Sequence, residues 1–171
     1  MVFRKIVSGI EWLSEWSGRV AGFFILFMIA TVCYEVFMRY LFNNPTIWYY
    51  DVNYMLGGSL MAIGQAYVFR RGGHVRIDIL SIKFTEKTKL LIDIFFTAVV
   101  FIPAFIMLSE SYWSDVGNAL KINQTLMRSS WYPAAWPFKA ALATGFTLFL
   151  IQGVANLIKD VTQLATRGKQ L

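Results

Sequence analysis

The chain alternates between long apolar runs and short polar breaks. Four runs, at 20–42, 47–69, 90–112 and 138–158, are long enough to cross a bilayer. About 20 apolar residues rising 1.5 Å each span a hydrocarbon core ~30 Å thick. Amides in lipid must be paired within their own segment, so each run predicts a helix. The break Asn43-Asn44-Pro45-Thr46 is short and rich in turn formers, which makes the first two spans antiparallel neighbours. Over 3–16, Phe3, Ile6, Ile10 and Leu13 recur at helical spacing while Arg4, Lys5, Ser8 and Glu11 fall elsewhere. This predicts an amphipathic helix lying in the interface, with Trp12 and Trp16 at headgroup level. A helix packed on a partner is the other reading of that segment. Residues 74–89 predict a short interfacial helix through Ile77, Leu80 and Phe84, and 115–137 form a long connection. The pattern predicts an all-α membrane protein with four transmembrane helices and an N-terminal interfacial helix, in one domain over 1–171.

Composition strengthens this picture. Of 171 residues 57% are hydrophobic and 15% charged, against about 25% charged in a soluble domain. Glu11, Glu15 and Arg19 interrupt the N-terminal region, so no cleavable signal peptide is expected. The net charge of +6 is explained by topology rather than by nucleic acid. Twelve basic residues fall at the two termini and between spans two and three, and four fall on the opposite side. Basic residues favour the cytoplasm, so both termini are predicted there.

Candidate chemistry is sparse. Glu35 and Arg39 lie one helical turn apart inside a span, acid first, the favourable order. A proton or ion relay, a structural ion pair and snorkelling to the outer headgroups are all open to them. Asp51 and Asp93 stand near span starts, where an acid complements the helix dipole, and Glu110 stands near a span end. None of these acids is paired by local spacing with a basic residue inside the bilayer, and polar groups do not converge at mid-depth. Cys33, the single cysteine, is expected as a small buried hydrophobe. His74, the single histidine, excludes a bis-histidine haem within one chain, and a loop position beside Arg70, Arg71 and Arg76 predicts a solvated ring. Gly58, Ala62 and Ala66 form a small-residue stripe flanked by Gly57 and Gly64, matched by Ala141, Gly145 and Gly153 in the last span. Such stripes let helix backbones approach, within the chain or against a partner. Trp131, Tyr132 and Trp136 form an interfacial belt, Pro137 suits a first helical turn, and Arg128 stands nearby as a solvated charge or a docking contact. No nucleophile with a base, phosphate loop or metal motif is present in the sequence, so an enzyme is not expected, nor a cofactor.

Two stretches carry a family resemblance. One is E-x-x-x-R-Y-x-F-N-x-P-x-x-W, here Glu35, Arg39, Tyr40, Phe42, Asn43, Pro45 and Trp48. The other is G-x-A-Y followed by H-V-R-I-D, here Gly64, Ala66, Tyr67 and then His74, Val75, Arg76, Ile77 and Asp78. Together they resemble the small membrane subunit of tripartite ATP-independent periplasmic (TRAP) transporters, the DctQ-like family, over nearly the whole chain. Asp51 departs from the pattern, where a glutamate is more usual. The resemblance implies a scaffold in the bacterial inner membrane beside a large membrane subunit that holds the substrate and sodium sites. It also implies a periplasmic substrate-binding protein, which Arg128 would help dock. Glu35, Arg39, Tyr40, Trp48, Asp51, His74, Arg76 and Asp78, with the stripe Gly58, Ala62 and Ala66, then become structural or subunit-interface positions. The implied cargo is an organic acid, sialic acid ahead of a C4-dicarboxylate. Rival readings are a membrane anchor for a redox enzyme and a self-contained oligomeric transporter.

Overall fold

A computed structural model describes residues 2–71 and 85–167. The helices there are α1 (Val2–Tyr40), α2 (Tyr49–Arg70), α3 (Glu86–Phe96), α4 (Ile102–Lys121) and α5 (Trp136–Arg167). A π-helical turn, Thr97–Phe101, joins α3 to α4 into one rod. Its cause lies two residues beyond it. Pro103 has no N–H to return to the carbonyl four residues back, and the ladder shifts so that the Ile102 amide donates to Thr97, five residues back.

Three of the four rods are long and apolar enough to cross a membrane: Val7–Tyr40, Lys87–Lys121 and Trp136–Ala165. The expected second span, α2, has 22 residues, about 33 Å of helix. It has the length but is less apolar, because Asp51, Asn53, Ser59, Gln65 and several tyrosines and glycines interrupt it. It packs between α1 and α5.

The principal contacts run α1 to α2, α2 to α5 and α5 to α4, so the rods form a row with α2 and α5 in the middle. Chain direction makes α1–α2 and α4–α5 antiparallel and α2–α5 parallel. The interior is built from small side chains: Ala21, Ala62, Ala66, Ala119, Ala143 and Ala155 are buried, with Phe138 and Phe149 among the few large ones. Most large apolar side chains point outward, Phe23 being 70% exposed. A soluble core reverses this arrangement. Helices surrounded by lipid gain little from hiding leucine and associate through close backbone approach.

The separate interfacial helix expected over 3–16 is not a separate element. Helix α1 runs unbroken for 39 residues, about 58 Å. No breaker stands between Trp16 and Val20 beyond Gly18, whose missing Cβ makes room for Tyr67, 2.5 Å from where that atom would lie. The buried side of this segment is also unexpected. Ser14 and Ser17 are buried, whereas Leu13, Trp12 and Trp16 are exposed. The span expected over 90–112 extends from Glu86 through Lys121, with Thr85 capping it by accepting from the Thr88 amide. The last span also extends, to Arg167. The remainder of the interfacial helix expected over 74–89, with His74, Arg76 and Asp78, lies outside the described residues up to 84.

The connection expected over 115–137 is largely ordered. Two residues past the end of α4, Asn123 is in the left-handed region (φ 47°), and the Gln124 amide donates back to Ala119 at 2.9 Å. Residues 124–135 then form a small hairpin. The Leu126 amide donates to Pro133, and the Ala135 amide to Gln124, both at 2.8 Å. Asn43 (φ 50°) follows α1 in the same left-handed region, with the Asn44 amide reaching six residues back to Met38 at 3.0 Å. The hairpin end of the row therefore carries both tight connections, and the chain termini lie at the other end.

Candidate functional site: two polar clamps and a closed seam

At the hairpin end, Glu35 is 3% exposed and fully engaged. One carboxylate oxygen accepts both Arg39 Nε (3.0 Å) and a terminal guanidinium nitrogen (2.6 Å). The other accepts the Thr46 amide at 3.0 Å and the Thr46 hydroxyl. The carboxylate thus ties the end of α1 to the turn before α2. This geometry answers the question its burial poses: it is satisfied within the chain by four donors. Arg39 reaches past it, its side chain 54% exposed. Tyr34 stacks on Trp48 (centroids 5.7 Å apart), and Thr31 meets Asn53 one turn deeper at 3.3 Å.

Asp51, expected to complement the dipole of α2 and to be a structural or subunit-interface position, is wholly buried and accepts the Ser129 hydroxyl. Its second oxygen, Oδ1, has no hydrogen-bond partner. The residue before Ser129, Arg128, expected as a solvated or docking charge, lies over the Tyr54 ring at 3.8 Å from its centroid. The hairpin is thereby fastened to the first turn of α2. Lys139 adds a contact to Gln124 at 2.9 Å. Tyr40 is exposed and Trp48 half-buried, while Cys33, expected to be buried, faces outward.

A second polar clamp, which the sequence reading did not assemble, closes the termini end. Ser14 donates to the fully buried Gln152 at 2.6 Å, and Gln152 donates to Asn156 at 3.0 Å. Around them Lys159 pairs with Glu11, Arg70 pairs with Glu15, and Arg71 approaches Glu15 at 3.5 Å. These contacts draw Glu11, Ser14 and Glu15 toward α2 and α5. The signal was present: Gln152 interrupts an apolar run, and an amide inside a span requires a partner. Its partner lies 138 residues away, which periodicity does not reveal.

Between the clamps the stripes meet each other. A Cβ on Gly145 would lie 2.7 Å from the Ala62 Cβ and even closer to its backbone, so α2 and α5 touch main chain to main chain. Gly58 makes room for Phe138 (2.7 Å), and Gly153 makes room for Phe101 of the π turn. Gly58, Ala62 and Ala66 therefore serve a seam inside this chain. Asp93 lies within α3 and Glu110 is exposed on α4. Among the grooves on the α1–α2 pair, one of about 400 Å³ is bordered by Gly18, Ala21, Gly22, Gly64 and Gln65. The Gln65 side-chain nitrogen there is buried without a hydrogen-bond partner.

Residues 28–163 match the family described as tripartite ATP-independent periplasmic transporters, DctQ component. The chain is also 26% identical to the sialic acid TRAP transporter small permease protein SiaQ of Vibrio cholerae serotype O1. That similarity extends over 166 residues, 96% of this chain and 92% of the relative. The matched region takes in the Glu35 clamp, the α2–α5 seam and the hairpin. The chain belongs to the DctQ family and is the small permease subunit of a TRAP transporter.

Proposed function

We propose that this subunit is a non-catalytic scaffold in a sodium-coupled importer of an organic acid, with sialic acid ahead of a C4-dicarboxylate. The observation that carries this reading is the closed seam. Ionic and strongly polar groups gather at the two ends of the row, where most are paired inside the chain. The depth between them is filled by contacts such as Gly145 on Ala62 and Phe101 on Gly153. Solute passage then belongs to the large membrane subunit. The α1–α2 groove is the seam we assign to that partner, with Gln65 supplying an amide to be paired on contact. Placing the hairpin end in the periplasm and both termini in the cytoplasm of the inner membrane follows the distribution of basic residues. Arg128, exposed while its guanidinium lies over Tyr54, and the apolar tip of the hairpin beside it, with Met127 83% exposed, are the docking candidates for the binding protein. The sialic acid preference is supported by the name of the relative alone.

Gly22 tests the assignment of the groove, because a side chain built there meets no atom of this chain within 4 Å. Gly22→Leu should leave the subunit folded while lowering the amount of large subunit that co-purifies with it, and uptake should fall in proportion. Full assembly with Gly22→Leu contradicts the assigned seam. Sialic acid uptake by the complete three-component system that is indifferent to a sodium gradient contradicts the coupling.

A further inference from the structure

Where α3 passes into α4, the main chain is left with an acceptor that its own helix cannot pair. In an α-helix the Ala98 carbonyl takes the amide of Ile102, and in a π turn it takes that of residue 103. Here the Ile102 amide donates to Thr97, and residue 103 is Pro103, which has no N–H. The Val99 carbonyl loses its α-helical donor to the same proline. Water would hydrate such a carbonyl at a surface. This one lies in the uncharged stretch between Asp93 and Glu110, inside the apolar rod Lys87–Lys121, and lipid tails offer no donor.

The surface around the carbonyl is shaped for a neighbour. Ala98, Val99, Val100, Pro103 and Ala104 are all exposed. The larger Phe95 and Phe96 project on one side of this strip, and Ile106 and Met107 on the other. Between them the small and branched side chains form a notch that another helix can enter closely. Phe101, in the same turn, packs on Gly153 of α5 instead. The notch therefore belongs to the outer edge of the row.

We propose that the π turn is a second contact with the large membrane subunit, made by a membrane-spanning helix that places a side-chain donor (hydroxyl, amide or guanidinium) on the Ala98 carbonyl. The proposal rests on the reading above that such a subunit lies beside the row. A periplasmic binding protein does not enter the hydrocarbon and cannot supply the donor. A second copy of this chain fits poorly. Meeting about a two-fold axis, it would set notch against notch, and the projecting Phe95, Phe96 and Met107 of the two copies would touch before the strips between them closed. A notch takes a ridge, so the occupant is a different helix. With the α1–α2 groove near one edge of the row and the π turn at the other, the large subunit holds this chain across its width.

Photo-crosslinking in membranes that contain the assembled transporter tests this. Benzoylphenylalanine replaces Val99 in one variant, Val100 in a second, and Ile25, on the α1–α2 groove, in a third. Illumination of the Val99 and Val100 variants should join this subunit to the large subunit. If Ile25 gives that adduct while Val99 and Val100 give none, or join only two copies of this chain, the proposal is overturned and the scaffold reading stands. No adduct with the large subunit from any of the three positions overturns both. Pro103→Ala tests the carbonyl itself, because the restored amide pairs Ala98 directly or lets the ladder return to α-helical register. The unfolding midpoint of the isolated subunit in detergent should then hold or rise, while the large subunit that co-purifies with it falls several-fold. Assembly at the original level overturns the role given to the Ala98 carbonyl.

Discussion

Glu35 is held by Arg39 on one oxygen and by Thr46 on the other, so the charge is neutralised and the turn is pinned by the same group. Either a charge without its partner or a turn without its anchor results from altering it. Glu35→Gln keeps the hydrogen bonding to Thr46 but leaves Arg39 without a counter-charge. The expected outcome is a lower yield of assembled complex, with unchanged substrate affinity in whatever complex forms, measured by binding to the purified assembly. At the other end Gln152 bridges Ser14 and Asn156 from a fully buried position. Gln152→Ala removes both contacts and leaves the Ser14 hydroxyl unpaired. A loss of about 1–3 kcal/mol is expected, seen as a lower unfolding midpoint in detergent, while Asn156→Ala should cost less.

Among the elements, the contact between α2 and α5 depends on the absence of atoms. Gly145→Ala places a methyl against the Ala62 backbone, which cannot move without separating the two central helices. Gly117, by contrast, has nothing within 4 Å of a built Cβ and lies inside α4. Gly117→Ala should raise stability by about 0.5–1 kcal/mol through helix propensity, whereas Gly145→Ala should lower it. Equal effects of the two changes on the unfolding midpoint would count against the seam. The positions of the helices were readable, three of them long and apolar enough to cross a membrane, because apolar runs of this length have one solution in lipid. The extra turns were less so: α1, α4 and α5 continue beyond the bilayer through polar residues, held by contacts such as Lys159 with Glu11 and Lys139 with Asp115. Glu35 and Arg39 were legible as a pair because they share a local helix face, but Thr46 as their third member was not. Asp51 with Ser129, and Ser14 with Gln152, join residues far apart in the chain, and pattern carries no trace of such pairings.

At the scale of the whole molecule, a row one helix deep leaves both broad faces and both edges in contact with lipid or protein. Small residues close its internal seams, polar clamps close its ends, and its large side chains face outward. On the reading proposed above, such a slab enlarges and holds a neighbour, and the α2–α5 seam, closed main chain to main chain at Ala62 and Gly145, leaves no path for a solute between those two helices. The most direct measurement is uptake by vesicles containing this subunit alone, compared with vesicles that also contain the large subunit and receive the binding protein. Gradient-driven uptake of the organic acid is expected in the complete system and not in vesicles with the small subunit alone. Uptake by the small subunit alone would contradict the account.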